Sequence, residues 1–89
     1  MNLHYTGQFK RDYKKAQKQN RDIVKLREVV EMLLQGEAPP PKYRDHQLTG
    51  KWKGHRDCHI EPDWILIYRY VGDDLFLERT GSHSELFKK

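Results

Sequence analysis

Three histidines in this chain stand among residues suited to proton transfer. His46 follows Asp45, His59 lies between Asp57 and Asp63, and His83 comes four residues after Arg79. Imidazole is the side chain whose unperturbed pKa lies nearest neutral pH, so it can give or take a proton there. Asp63 can orient a histidine, and Arg79 can clamp a phosphate with its planar fork of donors. Trp64 and Phe87 can stack on nucleobases, since every base has a π-face. Each also has a plainer role. Asp63 can be only a turn residue after Pro62, Arg79 can pair with Glu78 or Asp74, and Trp and Phe most often pack in cores. His4 reads as structural or exposed, and His55 as a solvent-facing neighbour of His59.

A zinc site built from His46, His59 and His83 is disfavoured. Their spacing is wide, and no short His-x-x-x-His helix supports it. The single cysteine, Cys58, supplies neither a disulfide nor a thiolate-rich site, and it reads as a small core residue in a strand. No metal and no cofactor are therefore expected.

The net charge of +4 and pI of about 9.3 favour a polyanionic partner. Basic residues concentrate from Lys10 to Arg27, where Lys14 and Lys18 lie one helical turn apart and away from the apolar stripe. Lys14, Lys18 and Arg21 are candidate contacts to an RNA backbone. The alternative is a solvated face, with docking left to Lys51, Lys53, Arg56, Lys88 and Lys89. No apolar run approaches the ~20 residues of a membrane span. The start of the chain lacks a signal peptide's features, so a cytoplasmic protein without membrane contact is expected.

These residues need a scaffold, and 89 residues supply one domain, 1–89. Leu3 to Thr6 reads as a strand. Phe9, Tyr13 and Ala16 recur at helical spacing, as do Ile23, Leu26, Val30, Leu33 and Leu34. Asp22 suits the second helix's start and Gly36 its end. Ala38-Pro39-Pro40-Pro41 is a stiff extended connection. Trp52 to Ile60 then alternates, with Lys53, His55, Asp57 and His59 on a polar face. Trp64 to Tyr70 and Leu75 to Arg79 read as further strands, and Ser82 to Phe87 as a short tail with room for one helical turn. The expected fold is α+β, an N-terminal strand and helical hairpin packed on one face of an antiparallel sheet whose other face is free.

Three segments resemble a known family. Asp45-His46-Gln47-Leu48-Thr49-Gly50-Lys51-Trp52 is similar to the Asp-His-x-Leu-x-Gly-x-Trp run of YafQ-type toxins in the RelE/ParE superfamily. Arg56-Asp57-Cys58-His59 through Pro62-Asp63-Trp64 to Tyr68, and Arg79-Thr80-Gly81-Ser82-His83 through Leu86-Phe87, resemble its later motifs. The resemblance implies a RelE-like fold and a toxin that cleaves mRNA in the ribosomal A site without metal. It implies ribosomal RNA as a contact and a cognate antitoxin with a ribbon-helix-helix part, through which alone operator DNA is bound. It implies functional roles for His46, His59, Asp63, Trp64, Arg79, His83 and Phe87. His83 is then the expected acid and His46 the expected base, with His59 and Asp63 tuning or positioning. Arg79 would offset phosphate charge, and Trp64 and Phe87 would hold the bases. The rival reading is a non-catalytic basic RNA- or DNA-binding module, which leaves the histidines, Asp63 and Arg79 without a purpose.

Overall fold

The computed structural model describes residues 1–87, so Lys88 and Lys89, named above as docking candidates, lie outside the described residues. Strand β1 (Asn2–Tyr5) leads into helices α1 (Gly7–Lys18) and α2 (Ile23–Leu34). After two 3-10 turns and the two-residue strand β2 (His46–Gln47) come β3 (Arg56–Glu61), β4 (Trp64–Val71) and β5 (Asp74–Gly81). The short helix α3 (His83–Leu86) follows.

Both long helices start where side chains satisfy free backbone donors. Thr6 Oγ1 accepts from Phe9 N at 2.9 Å and donates to the Glu78 carbonyl at 2.8 Å, tying the start of α1 to β5. Asp22 accepts from Val24 N at 3.2 Å, the cap expected from sequence. The apolar stripes of the hairpin then face the sheet. Phe9, Ala16, Leu26, Val29, Val30 and Leu33 meet Cys58, Ile60, Trp64, Leu66, Tyr68, Leu75 and Leu77 in one core. Cys58 is fully buried there, as a small core residue.

The sheet order is β1-β5-β4-β3-β2. β2 to β5 form the expected antiparallel meander, but β1 pairs parallel to β5, so the sheet is mixed. The hairpin between β1 and the meander carries the chain back across the sheet, the kind of crossover a parallel pair requires.

The second face is not left free. Ile65 and Ile67 are 0% exposed, roofed by Leu86 with Leu48, Trp52 and Phe87. β4 is thus buried on both faces through Tyr68, which explains its unbroken apolar run. Trp52 and Gly54 do not extend β3 as the alternation suggests. Residues Gly50–Trp52 form a 3-10 turn, with Gly50 and Gly54 at φ 63° and 90°. That turn carries Trp52 over to the face opposite the one its position in the alternation predicts.

Candidate active site

Where β2 and β3 pair, His46 stands opposite Asp57, and two residues later His59 stands opposite Ile65 of β4. The turn after β3 presents Asp63, and β5 delivers His83 at the start of α3. The result is a row. The rings of His46 and His59 are 6.5 Å apart, those of His59 and His83 5.2 Å, and those of His83 and Phe87 6.4 Å. The row runs along the margin of the roofed face. His46 and His83 are exposed and His59 half-buried.

Hydrogen bonds fix the ring tautomers of the two outer histidines. His46 Nδ1 lies 3.0 Å from the Arg44 carbonyl and 3.1 Å from Asp57 Oδ1. Both neighbours are acceptors, so Nδ1 carries the proton and a neutral His46 turns its Nε2 lone pair outward. His83 is held the same way. Asp63 Oδ1 accepts from His83 Nδ1 at 2.7 Å and from its backbone N–H at 3.0 Å. These bonds hold the Asp63 carboxyl below the usual carboxylate range. Nε2 of His83 faces Nε2 of His59 at 3.2 Å, so one proton can lie between the two rings.

His59 is held mainly neutral. Burial depresses its pKa below 6.5, and the positive fields of His83, Arg44 and His46 add to that against the opposing pull of Asp57. Asp57 is itself buried, and desolvation raises its pKa although His46 and His59 oppose the shift. Its burial departs from the wholly polar face expected of β3.

The loop carrying His46 is pegged from below. Asp45 accepts from Arg56 Nε at 2.8 Å and also from the Tyr68 hydroxyl. Burial first, and that hydrogen bond second, push the Tyr68 phenol well up. At the other end a capping box closes α3, with Ser82 Oγ accepting from Glu85 N at 3.2 Å and Glu85 Oε1 from Ser82 N at 2.8 Å. Lys15 of α1 bonds Glu85 as well, and the Glu85 carboxyl is pulled down to about 2 by Lys15 first and by Ser82.

The structure therefore brings His46, His59, Asp63, His83 and Phe87 together. Two expected site residues depart from their roles. Trp64 is 0% exposed and packs in the helix-side core, with the Arg21 guanidinium 5.5 Å over its ring, so no face is open for a base. Arg79 pairs with neither Glu78 nor Asp74. Its Nε and terminal N donate to the two oxygens of buried Asp12 at 2.8 and 3.1 Å, which ties α1 to β5. A guanidinium so engaged is not a free phosphate clamp.

The basic trio also separates. Lys14 borders a broad apolar groove between the hairpin and β1, while Arg21 reaches the site margin near Trp64 and Asp63. Lys18 is exposed on α1. His4 stacks on Phe76 at 4.5 Å, a structural role. His55 is half-buried against Trp52 and Glu78 rather than solvent-facing. Among the described residues, no group of three His, Cys, Asp or Glu side chains is arranged to hold a metal ion.

Comparison with known proteins places the chain. A family described as "Bacterial toxin of type II toxin-antitoxin system, YafQ" matches residues 1–88. The mRNA interferase toxin YafQ of Escherichia coli K12 is 48% identical over 86 residues, spanning 96% of this chain and 94% of that one. The crystal structure of the E. coli DinJ-YafQ complex superposes with a TM-score of 0.89 at 47% identity, covering 97% of each chain. A copper-bound mutant toxin from Helicobacter pylori superposes with a TM-score of 0.94 at 42% identity, covering 98% of this chain and 99% of that one.

Proposed function

The chain belongs to the YafQ family of type II toxin–antitoxin toxins, and from that premise we propose that it is a ribosome-dependent endoribonuclease. It cleaves mRNA in the ribosomal A site by acid–base chemistry in the cytoplasm. The observation that carries this reading is the histidine row, whose two outer members each have Nδ1 fixed by an acceptor, with Nε2 of His46 turned outward and Nε2 of His83 against that of His59.

In the reaction, His46 Nε2 takes the proton of a ribose 2′-hydroxyl, whose oxygen attacks the adjacent phosphorus. The bond to the 5′ oxygen breaks, and that oxygen receives a proton from His83 Nε2. The products are a 2′,3′-cyclic phosphate and a free 5′-hydroxyl, with no water consumed. Each proton transfer contributes roughly 10²–10⁴-fold. Asp63 fixes the tautomer and orientation of His83, as a carboxylate behind a catalytic histidine does. Neutral His59 hands its share of the proton to and from His83. Phe87, beside His83, stacks a base. Arg79 acts at one remove, by fixing β5 against α1.

An exposed row on a small domain holds a flexible single strand poorly. The ribosome supplies that positioning by presenting the message in a fixed path. Lys14 and Lys18 dock on ribosomal RNA. Their joint replacement by Ala is expected to raise the ribosome concentration needed while leaving the saturating rate unchanged. A cognate antitoxin encoded beside this chain, binding DNA through a ribbon-helix-helix part, neutralises it.

Induced expression followed by mapping of mRNA 5′ ends tests the reading. Cuts at A-site positions, bearing 5′-hydroxyls and absent without ribosomes, are expected. Binding to ribosomes without cleavage would return the chain to a non-catalytic RNA-binding module. Metal independence has its own test in metal analysis of the purified, active protein, and stoichiometric copper or zinc lost on His46→Ala or His59→Ala would overturn it.

A further inference from the structure

With Arg79 bound to Asp12, the histidine row needs another source of positive charge for the phosphate. Two arginines stand near the row: Arg21, whose guanidinium lies over the Trp64 ring, and Arg44, which shares a cavity with His59. Arg44 ends the 3-10 turn at Pro41–Tyr43, and its carbonyl is the group that holds His46 Nδ1. Its positive charge adds a smaller part to the lowering of the His59 pKa, after burial and His83. Arg56, Arg69 and Arg79 are each bonded to a carboxylate. Among the described residues no carboxylate bridges Arg44, which is exposed.

Its backbone is also unusual. Arg44 sits at φ 48°, ψ 46°, a left-handed conformation that costs an ordinary L-residue about 1–2 kcal/mol. A glycine would fit there without that cost. Keeping arginine at such a position makes sense where its side chain is used, since strain of this kind concentrates at binding and catalytic sites.

Next to Arg44 opens a cavity of about 390 Å³, bordered by Lys42, Tyr43, Arg44, His59 and Pro62, with Glu28 on the α2 side. Lys25 and Glu61, on the same wall, are paired with each other at 3.0 Å. Lys42 lies 5.1 Å over the Tyr43 ring. The volume suits one small organic group, and His59 borders both this cavity and the row.

We propose that Arg44, rather than Arg79, binds the scissile phosphate, and that the adjoining nucleotide enters the cavity between α2 and the end of β3. The proposal rests on the ribonuclease reading above. Arg44 and His59 line the same cavity, which puts a cation within reach of the non-bridging oxygens on which charge develops. Charge stabilisation of that kind by a preorganised donor is worth about 10²–10³-fold in rate.

The test uses Arg44→Gly and Arg44→Lys in the full chain. Glycine removes the cation at a position whose backbone suits it, so its melting temperature should match or exceed that of the wild type. Single-turnover cleavage of ribosome-bound mRNA at saturating toxin should fall about 10²–10³-fold in Arg44→Gly, with partial recovery in Arg44→Lys. A saturating rate within threefold of wild type in Arg44→Gly would overturn the proposal, as would a loss seen only in ribosome affinity. A second readout needs no activity. The uncleavable probe 2′-deoxyadenosine 3′,5′-bisphosphate, titrated by NMR, should shift the His59 and Tyr43 signals of wild type but not of Arg44→Gly. Equal shifts in both would remove the site. If wild type leaves the message intact while the probe still distinguishes the two proteins, the ribonuclease reading fails and the anion site at Arg44 stands.

Discussion

The two ends of the histidine row are anchored in opposite ways. His46 rests on buried supports: Asp45, 10% exposed, bonded to Arg56 and Tyr68, and Asp57, 4% exposed, beside its ring. His83 rests on looser ones, Asp63 with its side chain 70% exposed and a half-buried capping box on a helix of four residues. The first end is part of the fold, and the second is an attachment to it. Fold and function should therefore be inseparable by mutation around His46 and separable around His83.

Asp45→Ala breaks this contrast most severely. It leaves the buried Tyr68 phenol without its acceptor and frees a largely solvated guanidinium, and orphaning a buried polar group costs about 1–3 kcal/mol. The expected result is a large fall in the denaturation midpoint at unchanged m-value, with activity lost alongside. Asp63→Ala, an exposed change, should alter stability by less than about 0.5 kcal/mol while still relieving toxicity. Equal stability of the two variants would show that the His46 end is not built into the core.

Asp57→Asn sharpens the same contrast at the level of protons. The Asp57 charge raises the pKa of His59, so its removal should move the His59 titration further below 6.5 by NMR. On the proposed exchange of a proton between His59 and His83, the acid limb of the rate profile should move to lower pH as well. An unmoved limb would mean that His59 does not take part.

The smallest effect belongs to the His83 end. The Glu85 carboxyl is depressed from 4.5 to about 2. A depressed carboxyl adds stability above its unfolded pKa and loses it as pH falls through the folded value. Wild type should therefore lose about 1 kcal/mol between pH 4.5 and 2 through this group, the scale of a capping interaction at a partly exposed site. Glu85→Gln should lack that part of the acid dependence in paired denaturant titrations.

The same contrast governs what could be read from the chain before folding. Local patterns were legible: the stripes of α1 and α2, the Asp22 cap, and the doubly buried run of β4. The motifs pointed to His46, His59, Asp63, His83 and Phe87, which the fold gathers. The pairing of Arg79 with Asp12 was hidden because the two are 67 residues apart, and only packing of α1 on β5 joins them. Trp64 begins β4 after an irregularity between His59 and Glu61, and its burial depends on the hairpin above it. The parallel pairing of β1 leaves no mark in a four-residue strand. Arg44 gave no signal, since its place is set by a left-handed turn and by His46 seating on its carbonyl.

The central claim is that the row is a metal-independent acid–base site in which His83 donates the proton to the leaving oxygen. Its most direct test is single-turnover cleavage of ribosome-bound mRNA by wild type and His83→Ala at saturating toxin, with thermal unfolding of both. A loss of roughly 10²–10⁴-fold is expected in the variant, at an unchanged melting temperature. Cleavage by His83→Ala at the wild-type rate would contradict it.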